Sequence, residues 1–177
     1  MQKGDFVRIN YVGRLESGEI FDLTYEDVAK KENIHNSKIK YGPVSVVVGA
    51  GFVIPGLDKA LQDMNVGDKK TVDIEPNEAF GERDVRLVRT VQQKMFKNQN
   101  VEPRQGLIVD FGGMKGRIQS VSGGRVRVDF NNPLAGKKLK YEIEVVEKIE
   151  DPVAQIKGVL DFFGFYGAEA RIQDSEA

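Results

Sequence analysis

The sequence contains no cysteine and only one histidine among its 177 residues. Without cysteine the chain cannot form disulfides, thiolate nucleophiles or zinc–thiolate sites, and this composition fits a cytoplasmic protein. Because His35 is the sole imidazole, a transition-metal site would have to consist almost entirely of carboxylates. We therefore expect neither a metal nor another cofactor.

Long apolar runs are also missing. The longest apolar stretch, residues 44–52, is interrupted by serine and glycine, and it is far shorter than the roughly 20 residues that cross a bilayer as a helix. Residues 1–5 lack the basic and then apolar pattern of a signal peptide. These absences predict a cytoplasmic chain that is not associated with a membrane.

Charge is nearly balanced over the whole chain but uneven along it. Residues 84–135 contain nine Lys and Arg residues against four Asp and Glu residues, a net charge of +5, so the remainder must carry −6 to reach the total of −1. This asymmetry predicts domain boundaries near residues 84 and 135. The basic segment could attract ribosomal RNA or acidic polypeptides, or it could be a solvated face without a partner.

Alternating apolar residues predict strands at several places. Residues 104–130 are predicted to be rich in strands, and two adjacent glycines within them, Gly123 and Gly124, predict a hairpin turn because both can adopt positive φ. Residues 125–130 alternate strictly and residues 139–145 alternate as well, which would bury one face and leave the other in water. The strands predicted from these patterns span residues 6–11, 44–48, 70–74, 125–130 and 139–149.

Caps and apolar spacing predict helices. Pro55 suits a first helical turn, and apolar residues follow it at i, i+3, i+4 and i+7 spacing. Thr24 is predicted to cap another helix, with Asp27 completing a capping box. Asp151 followed by Pro152 predicts the start of a C-terminal helix. The expected apolar face of that last helix comprises Val153, Ile156, Leu160 and Phe163.

Four sequence blocks form an ordered set. They are Tyr11-x-Gly13 through Gly18-x-x-Phe21-Asp22, Gly49 through Val53-Ile54-Pro55-Gly56-Leu57, Ile74-x-Pro76-x-x-Ala79-Phe80-Gly81, and the closing strand Leu139 through Val145. In order and spacing these blocks resemble the FKBP family of peptidyl-prolyl cis/trans isomerases. The resemblance covers roughly residues 4–150.

The third and fourth blocks are separated by more than fifty residues, where common family members have a short flap. This arrangement resembles the SlyD-like subgroup, in which an insert-in-flap (IF) domain replaces the flap and acts as a chaperone. Met95-Phe96 and the segment 132–136 strengthen the match, and residues 26–41 resemble an addition in archaeal members.

The resemblance implies an α+β fold. An antiparallel FKBP-type half-barrel would wrap on the helix at 55–64, and a small β-rich domain with a short helix near 92–97 would be inserted into it. The expected domains are an isomerase domain (1–83 plus 136–150), an inserted chaperone domain (84–135) and a C-terminal helical extension (151–177).

Prolyl isomerisation needs little chemistry from a protein. Rotation about an X-Pro amide crosses a barrier of about 18–20 kcal/mol because it breaks resonance, and no bond is made or cut. A catalyst must therefore hold the proline in a dry, apolar place and favour the twisted amide. The pocket residues implied by the resemblance are Tyr11, Phe21, Asp22, Val53, Ile54, Leu57, Phe80 and Tyr141.

Two of these positions depart from the pattern of familiar members. Leu57 occupies the pocket floor, which is usually tryptophan, and Phe80 replaces a side-wall tyrosine. Both remain apolar, so we expect catalysis to survive. Tight binding of the macrolide drug that names the family is not expected to follow.

The inserted segment adds apolar residues that suit promiscuous binding of unfolded polypeptides with X-Pro bonds. A small β-rich core would explain some of them equally well. Two alternatives to the enzyme stay open: a holdase chaperone with a vestigial prolyl pocket, and an RNA-binding module built on the basic segment. The candidate binding residues of the insert are Met95, Phe96, Leu107 and Met114.

The C-terminal residues form a dense aromatic patch for one short helix. Such a patch predicts packing on a neighbouring chain, as in a homodimer, or on the body of the same chain. A truncated further domain is the remaining alternative. The aromatic residues are Phe162, Phe163, Phe165 and Tyr166.

Overall fold

A computed structural model describes residues 1–97, 101–169 and 171 of the chain. The strands are β1 (Phe6–Leu15), β2 (Ile20–Leu23), β3 (Val44–Val47), β4 (Lys69–Ile74), β5 (Val88–Gln92), β6 (Ile108–Phe111), β7 (Met114–Ser122), β8 (Arg125–Asp129) and β9 (Leu139–Lys148). The α-helices are α1 (Glu26–Lys31), α2 (Pro55–Gln62), α3 (Lys94–Lys97) and α4 (Pro152–Phe162), and 3₁₀ turns occur at Pro76–Glu78 and Val85–Leu87.

The chain divides into two compact units. The first comprises Met1–Ala79 together with Lys137–Ala177, and the second comprises Phe80–Gly136. The second unit is thus inserted into the sequence of the first. None of the helices in the described part of the chain has the length and apolarity needed to cross a membrane.

The first unit is built on an antiparallel sheet with the strand order β2-β1-β9-β4. β3 pairs with the first half of β1, from Phe6 to Ile9, whereas β2 pairs with the second half. β9 alternates as predicted, with Leu139, Tyr141, Ile143 and Val145 buried. Together with α2 this sheet confirms the predicted α+β fold class, although the described strands do not close into a barrel.

Helix α2 packs closely against the sheet. An added Cβ at Gly56 would lie 2.5 Å from Ile74 Cγ2, so the missing side chain lets the helix approach β4. Fully burying a leucine side chain stabilises a fold by about 1.5–3 kcal/mol, and α2 supplies two. The predicted stripe is confirmed: Leu57, Ala60, Leu61 and Met64 are all buried.

The predicted capping box at α1 is wrong. The N-cap residue is Tyr25, and it makes no side-chain capping bond. Thr24, which is buried, instead uses its hydroxyl to accept a hydrogen bond from the Tyr11 N–H and to donate one to Asn10 Oδ1. A long-range contact with β1 therefore replaces the local contact that the sequence pattern favours.

The start of α4 agrees with the sequence, because Asp151 Oδ2 accepts a hydrogen bond from the Ala154 N–H at 2.7 Å and Pro152 occupies the first turn. The apolar face predicted for α4 is only partly covered, because Ile156 is 42% exposed and Phe163 is 63% exposed.

Gly158 explains why α4 docks on another face. It is the buried residue of this helix, and an added Cβ there would lie 2.8 Å from Ser45 Cβ. Glycine in a helix interior costs about 1 kcal/mol relative to alanine. Here that cost allows the helix backbone to lie directly against β3, a geometry that apolar periodicity does not reveal.

The second unit is a four-stranded antiparallel sheet with the order β5-β8-β7-β6. Gly123 and Gly124, with φ of 55° and 73°, join β7 to β8 as predicted. Its core consists of Phe96, Ile118, Val126 and Val128. The ring of Phe96 meets Phe111 edge-on at a centroid distance of 5.5 Å, so the short helix α3 closes this core.

Phe96→Ala should therefore destabilise the second unit by about 3–5 kcal/mol, because it leaves a cavity in a small core. Met95→Ala is the matched control: Met95 is the preceding residue and is 46% exposed, so its loss should change the free energy of unfolding by less than about 0.5 kcal/mol. Urea unfolding followed by circular dichroism measures both changes. Equal effects would contradict the assignment of Phe96 to the core.

Candidate functional site

The strand pairing of the first unit brings three aromatic rings together. β1 pairs with β9 so that Gly13 lies opposite Tyr141, and β2 pairs with β1 so that Asp22 lies opposite Gly13. The rings of Tyr11 and Tyr141 are 5.7 Å apart between centroids, and Phe21 meets Tyr141 nearly edge-on at 5.6 Å. We call Tyr11, Phe21 and Tyr141 the aromatic cluster.

Gly13 makes room for this cluster. A Cβ at Gly13 would lie 2.7 Å from Phe21 Cζ and 3.1 Å from Tyr141 Cε1. Side chains at this position would push both rings away. Glycine weakens a strand interior, and there it often marks a close approach of another group. Gly13 belongs to the first of the four sequence blocks but not to the predicted pocket residues, and a glycine in the middle of a strand is the sequence signal that indicates its role.

One carboxylate lies beside the rings. The Tyr11 hydroxyl donates a hydrogen bond to Asp22 Oδ2 at 2.9 Å. Burial, and then the nearby charge of Asp22, raise the pKa of Tyr11 well above its ordinary value. The same two causes raise the pKa of Tyr141. Both tyrosines therefore stay neutral in ordinary buffers, and they offer hydroxyl groups without charge.

Thr24 and Asn10 fix the backbone next to Tyr11. The Thr24 hydroxyl accepts the Tyr11 N–H at 2.9 Å and donates to Asn10 Oδ1 at 2.8 Å. A buried hydroxyl with satisfied partners is costly to remove. These two residues hold the backbone of Tyr11 in place, a role that the sequence does not reveal because Thr24 stands where a helix cap is predicted.

The other predicted pocket residues of the first unit are Val53 and Ile54, in the loop before α2, and Leu57, on α2 itself. Val53 and Ile54 are half-buried, and Leu57 is 2% exposed. The Gly49 N–H donates to Asp58 Oδ1 at 2.7 Å, which ties the beginning of the loop to the helix that follows it. The loop is thus held in a defined shape at its two ends.

The remaining predicted pocket residue, Phe80, is half-buried and belongs to the second unit. Its place beside the aromatic cluster stays a prediction, as do the roles of the whole set. What the structure brings into direct contact is the group Tyr11, Phe21, Asp22 and Tyr141.

Residues predicted to bind polypeptide in the second unit fall into two groups. Met95, Leu107 and Met114 are exposed by 46%, 38% and 50%. Phe96 is only 1% exposed and belongs to the core. It is therefore unavailable to a partner in the folded state, and the prediction that Phe96 binds polypeptide is wrong. Ile108, another apolar residue of the inserted segment, is 58% exposed.

Other candidate sites have less suitable chemistry. A cavity of about 260 Å³ in the first unit is lined by charged and polar groups as well as aromatic ones. One of its residues, Arg8, is already paired with Glu147 at 2.7 Å. Within residues 1–97, 101–169 and 171, no group of three or more His, Cys, Asp or Glu side chains is placed to hold a metal ion. The aromatic cluster is the better candidate for apolar binding.

Neutral aromatic rings beside the Asp22 carboxylate present an apolar surface with two uncharged hydroxyl groups. The sequence profile of the FKBP-type peptidyl-prolyl cis-trans isomerases matches residues 1–146. The chain belongs to the family of FKBP-type peptidyl-prolyl cis-trans isomerases, and its class of enzyme is therefore that of a non-covalent isomerase.

Individual relatives agree with this family. The chain is 37% identical over 145 residues to the short-type peptidyl-prolyl cis-trans isomerase of Methanocaldococcus jannaschii, covering 82% of this chain and 92% of the relative. It is 30% identical over 146 residues to a probable FKBP-type 16 kDa isomerase of Pseudomonas fluorescens, covering 80% and 87%. It is 36% identical over 143 residues to the FKBP-type isomerase SlyD of Treponema pallidum, covering 78% and 73%.

The raised tyrosine pKa values predict how stability responds to alkali. In the unfolded chain tyrosine ionises near pH 10, whereas Tyr11 in the folded chain keeps its proton to higher pH. The folded state then binds more protons, so the free energy of unfolding falls as pH rises above about 10.

Tyr11→Phe removes one such group and should reduce that decline by up to about 1.4 kcal/mol per pH unit. Urea unfolding of both proteins between about pH 8 and about pH 11 measures the slopes. Parallel declines would show that Tyr11 does not lie in the half-buried, carboxylate-facing position described above.

Proposed function

We propose that the aromatic cluster and the Val53–Ile54 loop together form the place where this isomerase holds the proline of its substrate. The observation that carries the proposal is the contact of Tyr11, Phe21 and Tyr141 around Gly13. The family establishes the class of reaction, and this cluster supplies the dry aromatic surface which that reaction needs.

In this proposal the proline ring enters between the rings of the cluster and the side chains of the loop. Burial strips water from the X-Pro amide, and the loss of hydration favours the less polar twisted amide over both planar forms. The Ile54 N–H would donate to a substrate carbonyl, and Asp22 would keep the Tyr11 hydroxyl in place. No covalent step is needed.

Asp22→Ala tests this assignment. Losing the carboxylate frees the Tyr11 hydroxyl, so we expect kcat/KM on a prolyl tetrapeptide to fall by about tenfold in a protease-coupled assay. Asp63→Ala is the matched control, because that carboxylate has a side-chain exposure of 78% and lies at the far end of α2.

Equal activity of the Asp22→Ala and Asp63→Ala variants would remove Asp22 from the site. A wild-type rate equal to the uncatalysed rate would go further, because it would reduce the pocket to a vestige and leave the holdase as the function of this chain.

We further propose that the second unit holds unfolded polypeptide, as the SlyD-like resemblance implies. β6 lies at the edge of its sheet, where a strand presents unpaired backbone groups to a partner chain. Leu107, Ile108 and Met114 are exposed on or beside that edge pair. Apolar side chains next to a free strand edge suit loose binding of many sequences.

The basic charge of residues 84–135 supports attraction to acidic clients or to the neighbourhood of the ribosome. The absence of cysteine supports a cytoplasmic location. The exposed ring of Tyr166 supports contact with a second copy of the chain. Each of these is an additional proposal about partners.

A double variant, Leu107→Ser with Met114→Ser, tests whether the second unit holds polypeptide while the first unit isomerises it. It should leave tetrapeptide kinetics unchanged and slow the catalysed refolding of a proline-limited protein by about tenfold, because only the protein substrate needs to be held. Val85→Ser provides the control: Val85 is 81% exposed and precedes β5, at the opposite edge of the sheet. Unchanged refolding in the double variant would contradict the holdase role of this edge.

A further inference from the structure

The C-terminal helix reaches the loop that leads into α2. At its end, the ring of Phe162 lies 4.7 Å from the ring of Phe52 between centroids, and the ring of Phe163 lies 5.9 Å from it. Phe162 and Phe163 also meet each other edge-on at 5.5 Å. These three rings form a second aromatic group within the first unit, separate from the aromatic cluster.

Phe52 has a special place in the chain. It directly precedes Val53 and Ile54, and Ile54 is the N-cap residue of α2. The loop is tied at its start by the Gly49 N–H to Asp58 bond and at its end by α2 itself. Between those ties, the ring contacts of Phe52 with the end of α4 restrain the loop.

Helix α4 is a firm support for this contact. Asp151 caps its first turn, and Gln155 Nε2 donates to the Ile149 carbonyl at 2.8 Å. Gly158 brings the helix backbone against Ser45. Helix α4 is therefore fixed at its start and middle, so the rings of Phe162 and Phe163 at its end lie in a defined position.

The exposure of these rings argues for a role beyond core packing. Phe162 is 39% exposed and Phe163 is 63% exposed. A side chain with that much contact to water gains only part of the free energy that full burial provides. We therefore expect the rings of Phe162 and Phe163 to affect the geometry of the loop more than the free energy of unfolding.

We propose that Phe162 and Phe163 are positioning residues of the prolyl site, acting through Phe52 on the Val53–Ile54 backbone. The inference rests on the proposed function of that loop. Reacting groups that are slightly misplaced lose rate steeply, so a loop restrained by the C-terminal extension would give a faster isomerase than a loosely held one.

The test is the double variant Phe162→Ala with Phe163→Ala, compared with Phe165→Ala. Phe165 is also 63% exposed, and in the described part of the chain its ring pairs with no other aromatic ring. Prolyl tetrapeptide kinetics give kcat and KM, urea unfolding gives stability, and amide NMR spectra report the environment of Val53 and Ile54.

We expect the double variant to lose about threefold to tenfold in kcat/KM, the range that one or two aromatic pairs support. The amide resonances of Val53 and Ile54 should move, while the urea midpoint stays close to that of Phe165→Ala. The single variant Phe163→Tyr, which keeps the ring and leaves Phe162 intact, should retain most of the wild-type kcat/KM.

Kinetics and resonances that match those of Phe165→Ala would overturn the inference. An inactive wild-type chain would instead refute the proposed function, and the amide resonances would then decide the positioning role alone: moved resonances support it and unmoved resonances overturn it.

Discussion

The candidate site depends on the absence of a side chain at Gly13, in the middle of β1. Gly13 has no side chain, and the rings of Phe21 and Tyr141 occupy the volume that a Cβ would need. The register between β1 and β9 sets Tyr141 opposite this glycine. Tyr11 precedes Gly13 by two residues and therefore lies on the same face of the sheet. A one-residue slip in that register would turn every one of these side chains to the opposite face. The pairing of β1 with β2 and β9 therefore determines where the aromatic rings of the candidate site lie.

This arrangement suits a reaction that makes and breaks no bond. Neutral tyrosines, one ordered carboxylate and a half-buried apolar loop provide a surface that can exclude water from an amide without ionising. The inserted unit has a different character, with a small core around Phe96 and exposed apolar residues near the edge strand β6. Tight apolar packing in one unit and exposed apolar side chains in the other match the two tasks proposed for them.

Patterns that depend on neighbours in sequence were predictable. The alternation of β9, the turn at Gly123 and the cap at Asp151 are all determined within a few residues. Features that depend on distant partners were not. The Thr24 hydroxyl bonds to β1 and does not form the local cap, and α4 docks through Gly158 because a residue without a side chain lets the helix lie close to Ser45. Burial of Phe96 could not be predicted either, because methionine and aromatic residues occur both in cores and on binding surfaces.

Exchange NMR on an isotopically labelled Xaa-Pro peptide tests the central claim most directly, since it reports isomerisation and the place of binding in one sample. With a catalytic amount of the chain, cis and trans peptide signals should interconvert much faster than the tens to hundreds of seconds of the free peptide. The same titration should shift resonances of Tyr11, Phe21 and Tyr141. Faster exchange with those three resonances unmoved would contradict the account, because the twisted amide would then be stabilised somewhere else.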